Sequence, residues 1–286
     1  MSLASAPRPR AATRRAAVSS VKSIRALERG LDVLQALRTG QSAGLKDLHE
    51  ITGLPKATLL RILRTLIERN LVWQRMADGA YLPSSRPAGP LPAADDTSRL
   101  VELASPVMAR LCEQVDWPSV LAVRRASRME IIETNRPLSH VSHLPLGPVG
   151  ARISILLTAT GRAYFSFCSP EEREEIVRLL RESADPDDAF ALDPSWLARL
   201  VAQTQAQGFG LRDPSLSGGP RGGVRMPDDG RNSISVPVIA AGQVIATLNL
   251  TWTRRAMSVQ QVVAEHMADL RAAAAEIARQ LELSGG

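Results

Sequence analysis

Aromatic side chains are scarce, at 3% of 286 residues, which argues against the stacked platforms on which single-stranded nucleic acids are held. Cysteine is scarcer still. Cys112 and Cys168 have no CxxC spacing and there are 4 histidines, so no disulfide framework and no structural zinc site is expected, only two reduced, buried thiols. No apolar run approaches the roughly 20 residues that span a bilayer. Residues 1–20 carry no acid and no apolar stretch after Arg14-Arg15, so an export signal is not expected. There is also no GxSxG elbow, no HExxH and no Walker-type glycine loop. These absences predict a soluble, cytoplasmic chain with no membrane partner, no metal, no cofactor and no enzymatic activity. Its length and 44% hydrophobic content leave room for two ordinary domains and a tail.

The net charge of +6 is unevenly spread. Residues 1–92 hold 15 Lys and Arg against 6 Asp and Glu, whereas residues 93–286 hold 20 against 23. The basic half therefore points to a polyanionic partner. Its first 20 residues, rich in Ala, Pro, Ser and Arg, read as a disordered basic tail.

Residues 21–82 are expected to form a winged helix-turn-helix. Ile24, Leu27, Leu31, Leu34 and Leu37 recur at helical spacing and predict a first helix whose stripe covers two others. GLKDLHEIT is a short amphipathic helix, Gly53-Leu54 a turn, and PKATLLRILRTLIERN a second helix. At about 100° per residue, Leu59, Ile62, Leu63, Leu66 and Ile67 share one face of that helix, while Ala57, Thr58, Arg61, Arg64, Thr65 and Glu68 share the other. LVWQR and AYL, flanking MADG, read as a hairpin wing. Small residues, a hydroxyl and guanidinium groups on one helix face suit a major groove of duplex DNA. The candidate DNA-binding residues are Lys46, Pro55, Lys56, Ala57, Thr58, Arg61, Arg64, Thr65 and Arg75.

Residues 83–94, with four prolines, read as a linker, and residues 95–286 as a second domain. A helix over 95–115 joins the two. Its Leu100, Leu103 and Val107 suit either a dimer interface or packing within the chain. SVLAVRRASRMEIIET reads as two strands around a turn, ARISILLTATGRAYFSFC as an apolar helix opening at Arg152, and EEREEIVRLLRESA and PSWLARLVAQTQAQ as further helices. NSISVPVIA and QVIATLNLTWT form a hairpin before a closing helix. The whole is an α+β chain, with helices against one sheet in the second domain. His140 and His143 read as solvated loop residues, and the glycine-rich 215–230 stretch as a flexible lid or surface loop. Polar residues within apolar strands need partners that a ligand can supply. The candidate effector-binding residues are Arg152, Thr158, Ala159, Thr160, Ser233, Asn249 and Thr251, with Arg152 and helix-terminal amides suited to a carboxylate.

VKSIRALERGLDVLQAL, GLKDLHEITGLPKATLLRILRTL, LTATGRAYFSF, GRNSISVPV and GQVIATLNL, in that order over residues 21–282, resemble the IclR family of bacterial transcription regulators. VDWPSVLAV, AYFSFC and NLTWTRRAMS are further similar to its branch controlling degradation of phenylpropionate-type aromatic acids. The resemblance implies an N-terminal winged helix-turn-helix, a linker helix and a C-terminal GAF-like α/β sandwich effector domain that binds a small organic acid. It places the recognition helix at Pro55–Arg69 and the effector pocket near LTATG, Ser233, Asn249 and Thr251. Thr158-Ala159-Thr160, Asn249 and Thr251 depart from the small residues and serines common in relatives. The resulting expectation is a ligand-responsive regulator binding palindromic double-stranded DNA as a homodimer or homotetramer, its effector a small aromatic carboxylic acid. Two alternatives remain: a structural DNA-binding protein whose C-terminal domain only oligomerises, and an enzyme with a fused winged helix.

Overall fold

The computed structural model describes residues 24–40, 42–84, 96–137, 146–216, 220–221, 224–225 and 229–285. The expected basic tail, the 85–95 part of the linker and the His140–His143 loop lie outside them.

Three helices open the chain: α1 (Arg25–Gly40), α2 (Leu45–Thr52) and α3 (Lys56–Glu68). Gly53 ends α2 at φ +67°, a left-handed conformation that spares glycine the Cβ penalty other residues meet. The hairpin of β1 (Val72–Gln74) and β2 (Tyr81–Pro83) follows as the wing. Val33, Leu34, Leu37, Leu48, Leu59, Leu63, Leu66, Val72 and Tyr81 make the core of this unit. One expectation needs correction. Only the second half of the α1 stripe is buried, while Ile24, Leu27 and Leu31 stay 68%, 59% and 56% exposed. The helices they were expected to cover are short and pack against α1 only beyond Leu31.

The helix α4 (Asp96–Val115) leads into β3 (Ser119–Arg125), β4 (Arg128–Asn135) and β5 (Arg152–Ser154). Then come α5 (Ala159–Phe167), α6 (Pro170–Arg181), a 3-10 helix (Pro186–Leu192), α7 (Pro194–Gln207) and β6 (Gly210–Leu211). The short pair β7 (Pro220–Arg221) and β8 (Val224–Arg225) precedes the long hairpin of β9 (Arg231–Ala240) and β10 (Gln243–Thr253), and α8 (Val259–Gly285) closes the chain. Ala241 and Gly242, both at positive φ, form the tight turn between β9 and β10.

These strands form a six-stranded antiparallel sheet in the order β5-β4-β3-β10-β9-β6. Helices lie on both of its faces. Leu121, Val123, Ile234, Val236, Leu248, Leu250 and Trp252 face α4 and α8. Val120, Ala122, Met129 and Ile131 face α5, α6 and α7. Leu100 and Val107 are buried against this sheet within the chain, whereas Leu103 is half-buried.

The stretch expected as a helix from Arg152 also divides. Residues 152–154 pair as an edge strand with β4, and the helix begins only at Ala159, capped by Thr158 Oγ1 accepting from the Gly161 amide at 3.0 Å. Ser154 and Thr158 hydroxyls near the turn compete for backbone groups and delay the helix. Gly161 presses against the Ile155 backbone, and Gly210 against the backbone of Ala159 and Ala163. A methyl group at Gly161 has no room without moving backbone, so Gly161→Ala is expected to cost about 1–3 kcal/mol in a urea unfolding titration. A variant as stable as wild type would refute this seam.

Candidate functional sites

The face of α3 away from the core carries Lys56, Ala57, Arg61, Arg64 and Thr65, all exposed, with Thr58 half-buried and Pro55 at its start. Leu59, Leu63 and Leu66 anchor the opposite face. The predicted polarity of the helix is therefore the observed one, except that Ile67 is exposed. Arg64 lies 3.0 Å from Glu68 one turn on, and Lys46 3.8 Å from Glu50 on α2. Both pairs are solvent-exposed and weak, so they leave these cations available to a phosphate. The turn before α3 is held by His49 Nδ1, 2.7 Å from the Leu54 carbonyl, and by Thr52 Oγ1, which accepts from the Leu54 amide.

Arg75 differs from the other cations. Its Nε donates to Asp78 Oδ1 at 3.0 Å and its guanidinium bridges to Oδ2, a fork within the wing that holds the Asp78 carboxyl below its ordinary value. The wing tip itself rests on the second domain. Glu133 on β4 is fully buried, and its carboxylate accepts from the amides of Met76 at 3.3 Å and Ala77 at 3.1 Å. It also accepts from the Thr134 amide and from Ser105 Oγ on α4, each at 2.9 Å. Burial pushes this carboxyl above its ordinary value of 4.5, against those hydrogen bonds, which pull it down. Trp73 and Met76 pack on the same apolar layer.

Glu133 was not singled out by the sequence, because strict alternation along β4 would put it on the face of Ile131. A bulge opposite Leu121–Ala122 inserts Ile132 and turns Glu133 and Asn135 toward α4, where Asn135 bonds to the Met108 carbonyl. The one available signal was a carboxylate inside MEIIETN.

On the α5 side of the sheet, Asn249 and Thr251 stand on β10 with Ser235 and Ser233 directly opposite on β9. Asn249 Oδ1 accepts from the Val120 amide of β3 at 2.7 Å and its Nδ2 is 3.4 Å from Thr251 Oγ1. Thr247 continues the stripe, and its fully buried Oγ1 has no hydrogen-bond partner among the described residues. The structure thus brings together Ser233, Asn249 and Thr251, and adds Ser235 and Thr247, which alternation along the same strands made findable. The N-terminus of α5 packs over β9 and β10 with Ala159 and Thr160 buried. The Thr158 hydroxyl is already engaged as the helix cap and as a donor to the Ser154 carbonyl.

Arg152 is not brought to this stripe. It lies on the edge strand, three strand spacings from β10 and so roughly 14 Å away, is mostly exposed, and sits 3.8 Å from Glu130. An open groove of about 800 Å³ between α6 and α7, lined in part by Phe165, Val177, Leu197 and Val201, contains none of the expected effector residues. Its arginines are engaged: Arg173 with three carbonyls, Arg178 with Glu182 and Arg181 with the Ala191 carbonyl. Both cysteines are free and buried, and burial pushes each thiol up to about 11, which keeps them protonated and unreactive.

Residues 26–75 match the IclR helix-turn-helix domain. Over 251 residues the chain is 24% identical to the HTH-type transcriptional regulator TsaQ1/TsaQ2 of Comamonas testosteroni, covering 87% of this chain and 90% of that protein. It is 23% identical over 198 residues to the regulator BhcR of Paracoccus denitrificans, covering 69% and 70%. Among solved structures, a regulator from Rhodococcus sp. RHA1 superposes with a TM-score of 0.54 at 21% identity, covering 92% of this chain and all of that one. An IclR homolog from Microbacterium hydrocarbonoxydans, solved with 4-hydroxybenzoate, superposes at 0.51 with 22% identity over 90% and 99% of the two chains. The structural likenesses establish a shared fold.

Two outcomes follow from the buried polar groups. Asn249→Ala leaves the Val120 amide unpaired inside the domain and should cost about 1–3 kcal/mol in denaturant unfolding without any ligand; a loss near zero would show that the bond is dispensable. Glu133 is held more protonated in the folded chain than in the unfolded one. Its contribution to stability is therefore complete below 4.5 and lost as pH rises through its raised folded value. Glu133→Gln, uncharged throughout, removes that contribution, so the stability gap between wild type and variant should shift toward the variant as pH rises from about 4 to about 8. A gap independent of pH would contradict it.

Proposed function

We propose that this chain, a transcription regulator of the IclR family, reads duplex DNA through α3 as a two-fold dimer and answers to a small aromatic carboxylic acid held between α5 and the polar face of β9 and β10. The observation that carries the DNA reading is the exposed cationic and hydroxyl face of α3, standing on a helix-turn-helix of the IclR type within the basic half of the chain. Thr58 and Arg61 are assigned to base edges, and Lys56, Arg64 and Lys46 to phosphates. Arg75, forked to Asp78, is a secondary contact.

For the effector, the support is the buried stripe Ser233, Ser235, Thr247, Asn249 and Thr251, in which a hydroxyl lacks a partner. A ligand oxygen can supply one. The relative from Microbacterium was solved with 4-hydroxybenzoate, whose two polar ends suit hydroxyl and amide partners of this kind. The Thr158–Thr160 turn is the candidate for its other end, and Arg152 takes no part in this reading.

For the dimer, the exposed Ile24, Leu27 and Leu31 at α1 are the favoured interface, ahead of the linker helix, whose Leu100 and Val107 are buried within the chain. They repeat at helical spacing, flanked by Arg25, Arg29, Glu28 and Asp32. A two-fold antiparallel pairing of α1 sets the cations of one copy against the carboxylates of the other. Two recognition helices then meet half-sites about 34 Å apart.

Fluorescence anisotropy with promoter duplexes tests the DNA assignment. Arg61→Ala should lose about 1–3 kcal/mol and relax specificity, while Lys56→Ala should weaken all sequences alike and lower the salt slope by about one. If neither substitution changes affinity, α3 is not the reading helix. Calorimetry with hydroxybenzoates, phenylpropionates and short keto acids on wild type, Thr251→Val and Ser233→Ala tests the effector, and indifference of every acid to both substitutions sinks the assignment. Light scattering on Leu27→Asp should show a smaller particle than wild type, and an unchanged mass rejects the α1 interface.

A further inference from the structure

The wing of a winged helix is free to reach DNA only if its tip is unengaged, and here part of it is held: Met76 and Ala77 are half-buried, while Gln74 and Asp78 stay exposed. The backbone amides of Met76 and Ala77 end on the Glu133 carboxylate, Trp73 and Met76 pack against the layer formed by α4, α8 and the sheet, and Arg75 is turned onto Asp78 beside that carboxylate. We infer that Glu133 is an autoinhibitory clamp: it holds the wing tip against the effector domain and withholds it from DNA. This rests on the reading of residues 24–84 as a DNA-binding unit.

The chemistry of the contact is that of a carboxylate receiving several aligned donors. Two come from the wing, one from its own strand at Thr134, and one from Ser105, whose hydroxyl is shared with the Val101 carbonyl. Bonds to a carboxyl group buried this deeply meet little competition from water. A bulge is needed to aim the side chain this way. The clamp is also joined to the ligand-facing stripe by the shortest route that the sheet offers. Asn249 holds the Val120 amide of β3, and the next residue, Leu121, stands in register with Glu133. A ligand that draws Asn249 away from Val120 loosens β3 at the residue beside the clamp, which gives the effector domain a mechanical hold on the wing.

Amide hydrogen exchange on the full-length protein reads the clamp directly. In Glu133→Gln one acceptor oxygen becomes a donor facing the wing amides, so protection at Met76 and Ala77 should fall by about 10- to 100-fold. The amides of Leu63 and Leu66 in α3 keep theirs, showing that the winged helix remains folded. Glu133→Leu, which suits a buried position and accepts no hydrogen bond, carries the same expectation should the glutamine variant fold poorly. The functional readout is affinity for a random-sequence duplex at fixed salt. It should rise about threefold or more when the wing is released, with a salt dependence steeper by about one phosphate contact. Unchanged protection at the two amides, or loosened amides with affinity no higher than wild type, overturns the proposal. Failure of the DNA reading is distinguishable: wild type then binds no duplex at all, and the exchange measurement alone decides whether the clamp exists.

Discussion

The second domain depends on the alternation of β10 from Ala246 to Trp252, beyond the bulge that follows Val244. Leu248, Leu250 and Trp252 go one way into the layer of α4 and α8, and Thr247, Asn249 and Thr251 go the other way, under α5. The apolar set, with Trp252 wholly buried, supplies a burial gain of about 1.5–3 kcal/mol per large side chain. That gain allows the opposite face of the same strand to carry hydroxyls and an amide where apolar side chains would otherwise stand. Because the side-chain period is two, a slip of one residue would exchange the two faces at once. The long register of β9 on β10, anchored by the Ala241-Gly242 turn, prevents it.

How much of this could be read from residues alone differs by element. The helix-turn-helix was legible because its signals are local: a glycine at a left-handed cap, a period near 3.6 and a turn of fixed chemistry in the wing. The hairpin of β9 and β10 was legible for the same reason, and with it Ser233, Asn249 and Thr251. The edge strand at Arg152 was not, since three residues pair only because β4 lies beside them, and a short apolar run fits a helix equally well. The α1 stripe gave its spacing but not its extent of burial, which depends on how far α2 and α3 reach along it. Glu133 was hidden most deeply. Its direction is set by one inserted residue in the neighbouring register, a feature no periodicity predicts.

Charged groups in this chain divide by role according to their surroundings. Arg128 with Asp185 and the buried Asp188, and Arg124 with Glu172 and Glu175, brace the sheet against the loops and helix outside it, every partner in place. Such pairs are costly to break from one side but add little when complete. The cations of α3 are the opposite case: exposed, loosely paired and free to exchange a weak intrahelical carboxylate for a phosphate.

The two glycine contacts at the base of α5 have a mechanical meaning. At Gly161 and Gly210 backbone meets backbone with no side chain between, and such a contact can neither be compressed nor take up slack through rotamers. That end of the helix is a fulcrum. Any displacement of α5 is therefore constrained to pivot near Gly161 and Gly210, because the helix cannot lift from Ile155 and β6 without opening a gap that no side chain is there to fill.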